Sequence, residues 1–329
     1  PLRTIYIGGG TPSLMPTGEF LRLCDVLAPY SGQVEEFTIE VNPDDVETEK
    51  LAAWKRGGVN RVSMGIQSFN DEVLRKVGRR HTAGDASRAY EMLCCYFKNV
   101  SIDLIYGMPG QTPEMWRNDV RRAVAMRPAH VSSYSLMYEP GTALTVMRDR
   151  GDLQETSDEV SEKMYEVLVE TLKDAGYDHY EISNFALPGF RSRHNSSYWH
   201  QTPYLGLGPS AHSYDGKRCR TAVTADFRDY IGRLTSCQEE SEDRWSGLLY
   251  REHLSETELR EEFVMTALRT REGISLRRFA ARFGDDSCEE LIKAGRRWLE
   301  TGDLELKEEH LSLSEKAILI SDAVILGLI

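Results

Sequence analysis

From its first residues to about residue 182, the chain alternates short β-branched runs with longer amphipathic ones. Residues 4–7, 37–41, 61–66, 101–105, 131–136 and 178–182 are β-branched and aromatic runs short enough to be strands. Between them, residues at about 16–28, 48–57, 70–77, 83–97, 112–126 and 156–175 carry helical periodicity. Several of these runs open on Thr, Asn or Asp, whose side chains accept hydrogen bonds from the free N–H groups of a first helical turn. Such alternation predicts an α/β fold with a parallel sheet wrapped by helices, and six strands predict a β/α barrel or a large part of one, over residues 1–182.

The periodicity changes after residue 182. A Gly-, Pro- and aromatic-rich stretch running to about 214 lacks regular pattern, and residues 183–223 read as a joining segment. From 224 the chain becomes charged and helical, with helices expected at 256–271, 275–283 and 287–299, then a turn and the apolar residues 311–313. Short helices that end in a small hairpin predict a mainly helical, winged-helix-like domain over 224–329. Acidic side chains crowd it (Glu256, Glu258, Glu261 and Glu262 among them), so packing or docking is its expected role and DNA binding is not.

Composition narrows the picture further. Acidic residues outnumber basic ones 52 to 40, which argues against a phosphate-binding face and against nucleic acid as a partner. No run approaches the roughly 20 apolar residues of a membrane span, so no integral membrane segment is expected and the cytoplasm is the expected location. The six cysteines, Cys24, Cys94, Cys95, Cys219, Cys237 and Cys288, form no CxxC or CxxxCxxC array and read as reduced thiols, with Cys94 and Cys95 expected to be buried in an apolar helix.

Residues with unusual chemistry collect at the ends of the expected strands. Gly8, Gly9 and Gly10 let backbone approach a ligand, and Thr11 adds a hydroxyl beside freed N–H groups. Glu40 ends an apolar strand and can accept hydrogen bonds from a ribose or an ammonium group. Gln67, Arg79 and Asp103 extend the same polar lining, with Arg79 the expected partner of an otherwise costly Asp103 carboxylate. In barrels the strands' carboxyl ends carry the active site, because the loops there vary without disturbing the core.

The runs IYIGGGTPSLM, TIEVNPDD, GVNRVSMGIQSFNDEVLRKVGR and SIDLIYGMPGQT, in that order, resemble the radical S-adenosylmethionine (SAM) barrel of the oxygen-independent coproporphyrinogen III oxidase family. The resemblance implies that Gly9, Gly10, Thr11 and Glu40 hold the methionine and ribose of SAM, that Gln67, Arg79 and Asp103 surround a second SAM, and that Met137 lines the adenine. The later runs YEISNFA, HNSSYW and YLGLGPSAHS are similar to the HemW branch, whose members are regarded as haem chaperones. That branch implies haem near His194, Asn195, Tyr198 and Trp199, with His194 as the axial iron ligand and the two aromatics as flat walls. His212 ranks second as a haem ligand.

Members of the family that perform radical chemistry carry a CxxxCxxC loop for a 4Fe–4S cluster after the first strand, and no segment of this sequence matches it. The expectation is a barrel without its first strand, preceded in the natural protein by the cluster loop, and unable to cleave SAM as it stands. An exposed barrel edge of this kind favours disorder or self-association, including a homodimer. Two functions follow from the resemblance: a haem chaperone that binds haem and delivers it to haem-requiring apo-proteins, or a coproporphyrinogen III dehydrogenase that decarboxylates propionate side chains through a deoxyadenosyl radical. A third reading keeps only a sugar-phosphate or nucleotide-binding barrel.

Overall fold

The computed structural model describes residues 2–236, 245 and 247–329, and Cys237 lies outside them. The chain divides into two compact units, Pro1–His194 and Asn195–Ile329. The division falls within the expected joining segment, so residues 183–194 belong to the first unit and 195–223 to the second.

In the first unit the strands are β1 (Thr4–Ile7), β2 (Glu36–Val41), β3 (Arg61–Gln67), β4 (Asn99–Tyr106), β5 (His130–Ser135), β6 (Asp178–Glu181) and β7 (Asn184–Ala186). The helices are α1 (Thr17–Leu27), α2 (Thr48–Arg56), α3 (Asp71–Lys76), α4 (Ala83–Tyr96), α5 (Pro113–Met126), α6 (Ala143–Asp149) and α7 (Asp158–Asp174). They form one sheet in the order β1-β2-β3-β4-β5-β7-β6, parallel from β1 to β5.

Two features differ from expectation. The expected sixth strand does not join β5 directly. Glu181 accepts hydrogen bonds from the Ser183 backbone N–H and the Asn184 side chain, turning the chain back so that β7 lies antiparallel between β5 and β6. Helix α6 was not expected either. It starts where the Thr142 hydroxyl accepts from the Thr145 N–H at 3.3 Å, within a segment whose Pro140 and Gly141 read as a turn.

The register of β1 to β5 sorts the sheet into two faces. One carries Ile5, Phe37, Ile39, Val41, Val62, Met64, Val100, Ile102, Leu104 and Val131, all buried. This face meets the helices, whose buried residues include Phe20, Trp54, Leu93 and Trp116. The opposite face is mainly polar: Thr4 and Tyr6 on β1, Glu36, Thr38 and Glu40 on β2, Arg61 and Ser63 on β3, Ser101 and Asp103 on β4, His130 and Ser132 on β5, with Ile105 as an apolar exception at the end of β4. Several of these polar groups are fully enclosed and bond one another. Ser101 Oγ lies 2.8 Å from His130 Nδ1, and the Tyr180 hydroxyl lies 2.8 Å from His130 Nε2. Burial and the neighbouring Arg61 cation hold His130 neutral, its pKa well below the usual imidazole range.

Cys94 and Cys95 are exposed, not buried. The buried stripe of α4 runs through Ala86, Ala89, Tyr90 and Leu93, and both cysteines lie off it.

The second unit continues from helix α8 (Arg193–Trp199), which crosses the division. Strands β8 (His212–Tyr214), β9 (Cys219–Val223) and β10 (Leu249–His253) form an antiparallel sheet in the order β10-β9-β8, with helix α9 (Phe227–Ser236) between β9 and β10 in sequence. This sheet replaces the irregular stretch expected there; its strands of three to five residues are too short to leave a periodic signal. The rest follows the order α10 (Glu256–Leu268), β11 (Ile274–Ser275), α11 (Leu276–Phe283), α12 (Asp285–Thr301), β12 (Leu304–Lys307), β13 (His310–Leu313) and α13 (Ser321–Leu326). Helix, strand, two helices and a hairpin form the winged-helix-like arrangement, around a core of Phe263, Phe279, Leu291, Leu304, Leu311 and Val324.

Candidate functional site at the carboxyl ends of the strands

The carboxyl end of the polar face is where the sequence-selected residues meet. β1 ends at Ile7 and the chain passes through Gly9 and Gly10 with φ of +77° and +101°, conformations open to glycine at little cost. Gly9 N–H donates to Glu40 Oε2 at 3.2 Å, and the Tyr6 hydroxyl donates to Glu40 Oε1 at 2.6 Å. Gly8 is required here for space: a Cβ at this position would lie 2.4 Å from the Tyr6 ring and 2.9 Å from the Glu40 carboxyl. Thr11 precedes a 3-10 turn over Pro12–Leu14 without capping it, so its hydroxyl is not committed to that turn. Ser13 and Asn42 close the base of the loop, Ser13 Oγ donating to Asp45 at 2.6 Å and accepting from the Asn42 N–H at 3.2 Å.

Gln67 and Arg79 come together over β3. Gln67 sits at a break in register with φ +69°, and a Cβ on Gly65 would lie 2.7 Å from Gln67 Nε2 and 3.4 Å from Arg79 Nη2. Arg79 donates to Asn42 Oδ1 at 3.3 Å. Asp103 is held otherwise than expected. Its carboxylate accepts from Ser63 Oγ at 3.1 and 3.2 Å and from Ser132, and the cations near it are Arg61 and Arg79 at a distance, with no direct Arg79 ion pair. Desolvation pushes this half-buried carboxyl up to about 6, with Glu40 adding to the rise and Ser132, Arg61 and Ser63 opposing it. Met137 lies beyond β5 with its side chain 72% exposed. Sequence reasoning passed over Tyr6, Ser63, Ser132 and Arg61; the signal was the two-residue alternation that puts each on the face of Glu40 and Asp103.

His194 belongs to this unit through three contacts. Its Nδ1 lies 2.9 Å from Thr4 Oγ1, its ring stacks on Tyr6 at 4.7 Å between centroids, and its N–H donates to Glu36 Oε1 at 2.9 Å. Glu36 Oε2 accepts from the Arg193 N–H at 2.9 Å, so one buried carboxylate anchors the start of α8. Burial lowers the His194 pKa, which leaves the imidazole neutral at physiological pH, the form that binds metal. Tyr6 therefore touches both the His194 ring and the Glu40 carboxylate. In the second unit, Tyr198 packs edge-on against Tyr204 at 4.8 Å, and the Arg269 guanidinium lies 4.6 Å over Trp199, whose Nε1 is buried without a hydrogen-bond partner among the described residues. Asn195 shares α8 with them, and His212 is exposed at the start of β8.

Comparison with known proteins supplies the lineage. Residues 1–123 match the radical SAM superfamily and residues 254–320 the HemN C-terminal domain. The chain is 37% identical over 290 residues to the heme chaperone HemW of Bacillus subtilis, covering 86% of this chain and 74% of that protein. It is 43% identical over 216 residues to the heme chaperone HemW of Lactococcus lactis, spanning 65% of this chain and 57% of that relative. The fold superposes on the coproporphyrinogen III oxidase HemN of Escherichia coli with a TM-score of 0.81 over 99% of this chain and 77% of that one; at 22% identity this likeness concerns the fold alone. The first unit's α/β sheet, the HemN-type carboxyl-terminal domain and identity across most of the chain point the same way: the chain belongs to the HemW family of radical SAM proteins.

Proposed function

We propose that this protein binds haem and passes it to haem-requiring apo-proteins, using a barrel that binds S-adenosylmethionine. The observation that carries the reading is the 37% identity to a heme chaperone, because a match spanning 86% of the chain necessarily includes residues 180–213, where the haem-associated runs lie.

The strand-end residues fit S-adenosylmethionine by their donors and acceptors. Gly9 and Gly10 expose backbone beside an open space, since a Cβ on either would meet nothing within 4 Å; with the Gly9 N–H bonded to Glu40, the Gly10 amide suits the carboxylate of the methionine. The Glu40 carboxylate suits the ammonium or the ribose hydroxyls, with Tyr6 fixing its orientation. Thr11, Gln67, Arg79 and Asp103 complete the polar rim, and Met137 offers an apolar contact for a purine from the loop after β5. A 4Fe–4S cluster bound with SAM would supply electrons for reductive cleavage. Among the described residues no group of three His, Cys, Asp or Glu is placed to hold a metal, so no step is assigned through a cluster.

For haem, the reading makes His194 the iron ligand, with Asn195, Tyr198 and Trp199 lining the porphyrin. Such ligation gives a saturable Soret shift. The test is an optical titration of haem into wild type and His194→Ala. Saturable binding weakened at least tenfold in the variant, with S-adenosylmethionine affinity unchanged, supports both haem binding and the ligand; equal affinity removes His194 from the site; no saturable binding by wild type overturns the chaperone reading.

A further inference from the structure

The proposed function leaves unexplained a large apolar cavity within the second unit. Its floor is one face of the β8-β9-β10 sheet: Val223 pairs with Leu249, and Thr221 pairs with both Arg251 and Ser213, so these side chains share a side. Leu205 and Leu207 of the YLGLGPSAHS run, together with Tyr230 and Trp245, complete a space of about 900 Å³, near the top of the ~300–1,000 Å³ range of cofactor sites. Leu205 and Leu207 are 73% and 75% exposed, a poor arrangement for leucines without an occupant.

The charge in this cavity indicates the occupant. Arg251 lines it and forms no ion pair among the described residues, although the chain carries 52 acidic side chains. The nearby arginines Arg220 and Arg233 are both committed, to Glu262 at 2.8 Å and to Asp229 at 2.9 Å. An apolar cavity with one guanidinium unpaired among the described residues suits a flat apolar molecule bearing a carboxylate, the guanidinium taking the carboxylate in a forked hydrogen bond. No His, Cys or Met lines it among the described residues, so it offers a metal no soft or imidazole ligand.

Resting on the haem reading above, we infer that this cavity is a seat for a carboxylate-bearing tetrapyrrole, gripped by its ring and a propionate and indifferent to the iron. Binding without an iron bond suits a ligand that must leave again.

The experiment titrates haem and metal-free protoporphyrin IX into the purified protein, following Soret absorbance and porphyrin fluorescence. The variants are Leu207→Asp, Arg251→Ala and Tyr250→Ala. Tyr250 is 61% exposed and points to the other face of β10, so its variant is the control. The expected result is saturable binding of metal-free porphyrin, weakened about tenfold or more by Leu207→Asp and about five- to tenfold by Arg251→Ala. Tyr250→Ala leaves it unchanged, and esterifying the propionates abolishes the Arg251 effect. Haem binding with no binding of the metal-free ring, or porphyrin binding untouched by Leu207→Asp and Arg251→Ala, overturns the seat and leaves the chaperone reading standing. Failure of wild type to bind either ring overturns both. Leu207 and Arg251 are exposed, so their replacement leaves the core intact.

Discussion

Asp103→Asn tests the electrostatics of the strand-end site. The carboxyl pKa is raised from 3.8 to about 6 by desolvation, with Glu40 as an added repulsion. A native group that holds its proton more tightly than the unfolded chain does costs stability as it ionises. Its contribution is fully present below pH 4, is lost as the pH rises from 4 to 6, and changes no further above that. Two pKa units correspond to about 3 kcal/mol, which partial exposure reduces to about 2 kcal/mol. Asparagine keeps the shape and the acceptor for Ser63 but cannot ionise. The variant should therefore match wild type at pH 4 and exceed it by about 2 kcal/mol at pH 7.5. Because the chain has two compact units, hydrogen exchange of the β3 and β4 amides is the suitable assay, as it reports opening of the first unit alone. A stability difference that stays flat from pH 4 to 7.5, or a variant less stable at the upper end, would show that Ser132, Ser63 and Arg61 outweigh desolvation and would refute the reasoning.

Other outcomes follow from the same geometry. Glu40→Gln, which removes the charge that Tyr6 and the Gly9 amide bond, should weaken S-adenosylmethionine binding ten- to hundredfold in isothermal titration calorimetry. Gly8→Ala drives a methyl group into Tyr6 and Glu40, and should destabilise the first unit by about 1–3 kcal/mol on the same exchange assay while lowering SAM affinity. Trp116, fully buried with its Nε1 donating to the Met164 carbonyl at 2.7 Å, should cost about 3–5 kcal/mol when replaced by Ala. At the β12–β13 turn Glu308 and Glu309 have φ of +47° and +63°, so replacing the pair with Asn-Gly should stabilise the second unit by about 1 kcal/mol, seen as a higher midpoint in thermal unfolding.

The strands β1 to β5 and their flanking helices were legible because burial imposes a period: alternate residues of β2 to β4 enter an apolar layer, and α5 or α7 turns one stripe towards it. Elements held by particular hydrogen bonds were not. β7 depends on the Glu181 side chain turning the chain back, α6 on the Thr142 cap, and β8 to β10 are too short for periodicity to register. At the site, Gly9, Gly10, Glu40, Gln67 and Asp103 gather because strand ends gather in a parallel sheet. The partnership of Asp103 was misjudged because the sequence does not show which residues the β3–β4 pairing sets beside it; Ser63 on the neighbouring strand bonds its carboxylate.

The same polar face explains how the chain enters the HNSSYW run at His194. A sheet face carrying Glu36, Thr38, Arg61, Ser101 and His130 cannot pack against an apolar element without stranding buried donors and acceptors. The chain after β7 meets part of this requirement with polar groups: the Ser192 N–H reaches the Tyr180 hydroxyl, and the Arg193 and His194 N–H groups share Glu36, while Thr38 Oγ1 and Arg61 Nε and Nη1 have no hydrogen-bond partner among the described residues. His194 thus has a structural duty, its ring resting on Tyr6 while Tyr6 bonds Glu40. Deleting the imidazole therefore disturbs the Glu40 loop as well as any iron bond, and loss of haem binding in His194→Ala identifies a ligand only where S-adenosylmethionine affinity is measured alongside it and remains intact.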